Sequence, residues 1–143
     1  MRDVQEKVRV AVEAYESGCN CAQSVMSAYA DEIGIPKDIA LATIEGFGGG
    51  IGGRQEECGA VLAAVCAVSA LLNQRPGIER PEMLAAVRDM CNRFASELGS
   101  TRCIDLLGGG KPFKHCCPDK VECAVRSAEA AIAAAGGNGT AGT

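Results

Sequence analysis

The 143-residue chain predicts an all-α protein, a single-domain helical bundle of about six to seven helices, and three observations carry that expectation. Apolar residues recur at helical spacing along almost the whole length, and strand-like alternation is absent. Glycine, proline and asparagine divide this pattern into pieces of helical length. One piece, "AVLAAVCAVSALL" at 60–72, is apolar nearly all round, which makes it the central helix of the bundle.

Taken in order, Val4, Val8, Ala11, Val12 and Tyr15 form one face of a first helix, and Gly18 suits the left-handed cap that ends it. Asn20 is a good N-cap for a second helix with the stripe Ala22, Val25, Met26, Tyr29 and Ile33, closed by Gly34 and Pro36. A third helix is expected over 37–46. The glycine run "GFGGGIGG" then feeds the central helix. A fifth helix carries Met83, Val87, Met90, Cys91, Phe94 and Leu98 and stops at Gly99. A short sixth, "STRCIDLLG", has Ser100 as its expected cap. A last helix, with Pro118 at its first position, carries Val121, Val125, Ala128 and Ile132. The packed domain is expected to span 1–135, and the tail 136–143, "GGNGTAGT", to be disordered.

A domain of this size buries about two-thirds of its extended-chain surface and folds without covalent staples. The nine cysteines are therefore not needed for stability, and an odd number cannot all pair. The first residues contain no apolar run resembling a signal peptide, and no stretch approaches a membrane span, so the expected location is cytoplasmic, without membrane insertion. Thiols stay reduced there, so a cysteine-rich chain is read first as metal-binding or redox-active. A net charge of −4 without basic, aromatic-laced clusters argues against nucleic acid. The expected partners are a small ligand, a cluster or an unidentified redox partner protein.

Placed on the elements, the thiols fall into two groups. Cys21, Cys58, Cys103 and Cys117 each sit at a helix cap or in a first turn. Free N–H groups and the helix dipole favour a thiolate there, lowering a thiol pKa from about 8.5 to as little as roughly 3.5–7.5. If those helix starts converge, they make a thiolate pocket suited to an iron–sulfur cluster or a zinc ion. Cys66 and Cys91 read as core residues. Cys19, Cys116 and Cys123 stay open as extra ligands, resolving thiols or tolerated residues, and His115 as a ligand, a proton donor or an exposed loop residue. No C-x-x-C pair and no C-x-x-C-H occur, and the latter absence excludes covalent c-type haem attachment.

The run "GGGIGG" contains G-x-G-x-x-G at Gly48, Gly50 and Gly53, but no strand precedes it, so the dinucleotide reading fails. Either it is a flexible turn, or its glycines let backbone approach a ligand closely just before Cys58, with Arg54 placed to neutralise an anionic cluster. On the second reading Gly53 and Gly59 belong to the binding site.

In order along the chain, "GCNCAQSV", "ECGAVLAAV", "FASELGSTRCIDLLG" and "CCPDKV" resemble the C_GCAxxG_C_C family of redox-active proteins over about residues 5–132. The resemblance implies four family cysteines at Cys21, Cys58, Cys103 and either Cys117 or its neighbour Cys116. Ala63 stands where the family motif usually ends in glycine. The family is similar to the N-terminal part of split-Soret cytochromes c, which implies an iron–sulfur centre and a possible homodimer. The resulting expectation is an iron–sulfur protein acting in electron transfer or redox sensing. A metal-free thiol–disulfide protein and a structural zinc module remain as alternatives. For an enzyme, no catalytic group beyond the thiols and His115 is visible.

Overall fold

The structure, a computed structural model, describes residues 3–107 and 118–141. Eight helices occur among them: α1 (Val4–Glu16), α2 (Cys21–Ser27), α3 (Ala30–Ile33), α4 (Lys37–Ile44), α5 (Gly59–Asn73), α6 (Arg80–Leu98), α7 (Cys103–Leu106) and α8 (Asp119–Ala141). A 3-10 turn, Glu45–Phe47, follows α4. The described residues contain no strand, only one isolated antiparallel bridge, between Glu57 and Arg102.

The apolar helix is central, as its composition requires. Ala60, Val61, Ala63, Ala64, Ala67, Val68 and Leu72 of α5 are fully buried, and the helix packs against α2, α6 and α8. Small residues on α5 allow those neighbours to approach closely. Around it, α6 inserts Met90 and Phe94, and α8 inserts Val121, Val125 and Ala128. Cys66 and Cys91 are half-buried against this core, and Cys123 is buried within it, with its sulfur 3.9 Å from the Ser127 hydroxyl.

Four local expectations need correction. The second helix breaks in two, because the amides of Ala28 and Tyr29 bond three residues back instead of four. That tightening turns Tyr29 into the core, where its hydroxyl donates to Glu129 Oε2 at 2.8 Å. The third helix ends at Ile44 rather than 46 and tightens into the 3-10 turn. Ser100 is not the cap of α7. Arg102 holds that position, and Ser100 Oγ instead accepts from the Arg102 amide (3.0 Å) and donates to Asp105 (2.8 Å). Pro118 precedes α8, where its carbonyl accepts the Glu122 amide at 2.9 Å.

Lys7 lies on the buried face of α1. Its ammonium meets Glu32 Oε1 of α3 at 2.7 Å and Glu129 Oε2 of α8 at 3.0 Å, and sits 5.1 Å from the centre of the Tyr29 ring. Three separated segments are thereby tied at a single charge, which makes the arrangement sensitive to loss of one partner. Lys7→Ala should cost about 3–5 kcal/mol in urea unfolding, since two partly buried carboxylates would lose their cation.

Candidate functional site: a cavity lined by thiols

Asn20 starts the site. Its side chain accepts the Gln23 amide (2.9 Å), while Gln23 Oε1 accepts the Asn20 amide (3.1 Å), a reciprocal cap that fixes Cys21 as the first residue of α2. Asn20 Nδ2 also donates to the Glu45 carbonyl at 2.9 Å, tying that cap to the segment leading into the glycine run. Asn20→Ala should therefore lower stability by about 1–2 kcal/mol, measured by thermal unfolding.

The glycine run is neither regular helix nor loose loop. Residues 49–53 all have positive φ: Gly49 64°, Gly50 74°, Ile51 66°, Gly52 65° and Gly53 78°. The amides of Ile51, Gly52 and Gly53 bond back to Phe47, Gly46 and Gly48, and those of Gln55 and Glu56 to Gly49 and Gly50. The result is a compact left-handed turn. Glycine adopts it without penalty, whereas a β-branched residue does not. Ile51 is also 38 % exposed and so gains little from burial. Ile51→Gly should raise stability by about 0.5–1 kcal/mol, because release of the left-handed strain outweighs the greater chain entropy of glycine.

This turn positions two of the thiols. Gly50 lies so near α7 that a Cβ built on it would stand 2.8 Å from Cys103 Cβ and 2.6 Å from the Glu56 amide nitrogen. The Glu56 carbonyl accepts the Cys103 amide (2.6 Å), and the Thr101 carbonyl accepts the Cys58 amide (2.8 Å). These bonds zip the residues before α5 to the start of α7, so Cys58 and Cys103 are held by one pair of extended segments. Gly59, at the start of α5, makes the third close approach. A Cβ there would meet the Phe47 carbonyl oxygen at 2.7 Å and Cys21 Sγ at 3.3 Å.

The three thiols line one cavity of about 760 Å³ together with Cys19, the glycine run, Pro118 and Lys120. Cys58 is 2 % exposed and Cys103 5 %. Cys21 and Cys58 are hydrogen-bonded to each other and share a proton. That bond from Cys58 is the chief reason the Cys21 thiol falls to about 6; burial opposes it, while the Gly49 amide, the charge of Lys120 and the Ala60 amide assist. The same bond, then burial and the charge on Cys21, push the Cys58 thiol well up, against help from the Val61 and Ala60 amides. The pairing thus favours one thiolate, on Cys21, beside one thiol, on Cys58.

Of the predicted site residues, Cys21, Cys58, Cys103, Gly53 and Gly59 come together here. Cys116, Cys117 and His115 lie outside the described residues, although Pro118, next in sequence to Cys117, is on the cavity wall. Arg54 does not take the expected role. It is exposed, does not line the cavity, and is 3.9 Å from Glu56. Lys120 is the cation on the wall, and sequence reasoning missed it. Among the described residues, no three His, Cys, Asp or Glu side chains are gathered closely enough to grip a single metal ion.

Fold and site together define a class, an all-α protein whose cysteines, delivered by separate helix starts, line one cavity. Residues 19–134 match the model of a family described as "Putative redox-active protein (C_GCAxxG_C_C)", and the chain belongs to that family. No curated protein and no solved structure matched. No helix among the described residues is long and apolar enough to cross a membrane.

Proposed function

We propose that the cavity holds an iron–sulfur cluster through Cys21, Cys58 and Cys103, with Cys117 as fourth ligand, and that the protein transfers electrons or senses redox state in the cytoplasm. The observation that carries this reading is the convergence of three thiols from three helix starts, Cys58 and Cys103 buried and Cys21 half-buried, on a cavity far larger than any disulfide needs. The donor chemistry fits, since thiolates with nearby amide donors are the usual ligands of such clusters. Among the described residues no three thiols stand close enough to grip one metal ion. A lone zinc ion draws its sulfurs to about 2.3 Å of one point, whereas a polynuclear cluster accepts ligands set further apart.

When bound, such a cluster takes up or releases an electron. The chain's own residues do the rest. The amides of Gly49 and Ala60 stabilise negative charge on the Cys21 sulfur, which would favour the reduced form of a cluster held there and so raise its potential. Burial of Cys58 and Cys103 keeps water and oxidants away from the sulfurs. The reducing cytoplasm supplies the free thiols that assembly requires.

One observation favours a second reading. The hydrogen-bonded pair of Cys21 and Cys58, one of them a thiolate, is also arranged for dithiol–disulfide chemistry, in which thiolate and thiol become a disulfide with release of one proton and with two electrons passing to a substrate disulfide, which is reduced to two thiols. Purification without oxygen, with iron and acid-labile sulfide assayed on one sample, separates the two. The cluster reading expects visible absorption with matched iron and sulfide, lost in Cys58→Ala and Cys103→Ala. A colourless protein that takes up no cluster on reconstitution overturns it. Loss of two free thiols on mild oxidation of that sample would then establish the disulfide.

A further inference from the structure

Two sulfurs of the cavity, those of Cys21 and Cys58, are joined by a hydrogen bond. Cys21 is the first residue of α2 and Cys58 the N-cap of α5, and those two helices pack against each other. Gly59, next to Cys58, makes the approach possible, since a Cβ on it would lie 3.3 Å from Cys21 Sγ and 2.7 Å from the Phe47 carbonyl oxygen. Each partner is also held by bonds outside the pair. The reciprocal cap of Asn20 and Gln23 fixes the backbone of Cys21, and the Thr101 carbonyl accepts the Cys58 amide at 2.8 Å. The Ala60 amide faces both sulfurs, with the Gly49 amide on the Cys21 side and the Val61 amide on the Cys58 side. Two donor atoms and the dipoles around them are therefore in place before any guest arrives.

We propose that Cys21 and Cys58 form a two-coordinate site for a soft univalent metal ion, copper(I), bound between their sulfurs. The proposal goes beyond the cluster reading and does not rest on it. Thiolate sulfur is a soft ligand, of the kind that selects copper(I). Two ligands suffice for this ion, whereas zinc takes four, and among the described residues no third His, Cys, Asp or Glu side chain joins the pair as a metal group. Charge fits as well. Joined through one proton, the two sulfurs carry the charge of a single thiolate. With copper(I) in the proton's place they carry the same charge, so the amides that face them meet no change. In the exchange copper gains a bond to each sulfur, the bridging proton leaves to water, and the metal keeps its oxidation state. Half-buried Cys21 is the sulfur an entering ion meets first, and buried Cys58 completes the site. Once the ion is seated, neither sulfur is open to iron or to a disulfide.

The test titrates copper(I) into the reduced, metal-free protein without oxygen, against a chromogenic copper(I) chelator strong enough to outcompete single thiols. The first equivalent should bind with two sulfur neighbours in its X-ray absorption spectrum, and an excess of zinc should not displace it. Cys21→Ser and Cys58→Ser should each weaken that affinity by about a hundredfold or more, because the second fixed sulfur no longer adds its grip to the first. Cys66→Ser, a change at a thiol that does not line the cavity, should leave it unaltered. Wild-type protein that leaves copper with the chelator overturns the proposal, as do three or more sulfur neighbours or displacement by zinc, whether or not the serine variants fold. Full affinity in a Cys21→Ser or Cys58→Ser protein that keeps its helical circular dichroism overturns it as well. Failure of the cluster reading would appear separately, as absent iron and sulfide in the protein as purified, because neither takes part in the titration.

Discussion

Gly50→Ala is expected to lower the melting temperature by about 10 °C and to release Cys103 from the site. Two costs add at this position. Gly50 has φ near 74°, and a residue with a Cβ loses about 1–2 kcal/mol in that region. The new methyl group would also lie 2.6 Å from the Glu56 nitrogen and 2.8 Å from both Gln55 Cα and Cys103 Cβ. Two of those three atoms are backbone and cannot turn aside, so the segments must part, at a cost of about 1–3 kcal/mol more. For a chain of this length, a total of roughly 3 kcal/mol corresponds to that shift in melting temperature. Separation breaks the bond from the Cys103 amide to the Glu56 carbonyl, so Cys103 should become reactive toward thiol reagents in the folded variant. A variant that melts like wild type with Cys103 still protected would show that the turn is not held as described.

Cys58→Ala should remove the thiolate that the protein carries in neutral solution. In wild type, Cys58 donates to Cys21 and lowers it to about 6, so ultraviolet thiolate absorbance should rise with a midpoint there. Without Cys58 the largest cause of that lowering is gone while burial remains, and the midpoint should move up toward the ordinary thiol value of about 8.5. Near pH 7 the Cys21 thiolate fraction should then fall by about thirtyfold, and the alkylation rate with it. A midpoint left near 6 would place the cause of the shift elsewhere.

The shared proton also predicts how stability follows pH. From about pH 6 to the unfolded thiol value of about 8.5, the folded pair holds one proton and the unfolded pair nearly two, so stability rises with pH. Above 8.5 the unfolded pair loses both protons while the folded pair keeps one, because Cys58 is pushed up, and stability falls. Burial also lifts Cys66, Cys91 and Cys123, so part of the falling limb should survive Cys58→Ala. The rising limb should not. Urea unfolding across this range in both proteins checks the two limbs separately.

The helices and three of the site cysteines were legible in the sequence because their signals are local. Asn20 before Cys21, or an apolar run after Cys58, specifies a helix start whatever surrounds it. Other features depend on partners far along the chain. Lys7 falls on the apolar stripe of α1, a visible anomaly, but its anions at Glu32 and Glu129 are brought close only by folding. Lys120 stands in a first helical turn, where lysine is ordinarily solvated, and only the closure of α8 over the α2 and α5 starts encloses it. The glycine run announced freedom of φ without its sign. Ile51 concealed the answer further, since its own preference is opposite to the conformation it adopts.

The left-handed turn has a consequence for how the protein can diversify. Across residues 49–53 one side of the cavity consists of peptide groups, and almost any side chain added there meets a steric or conformational penalty. Mutation therefore has little purchase on that wall. New preferences for a guest must be written elsewhere on the lining, at positions such as Cys19 and Glu45, while the peptide wall passes unchanged from one variant to the next.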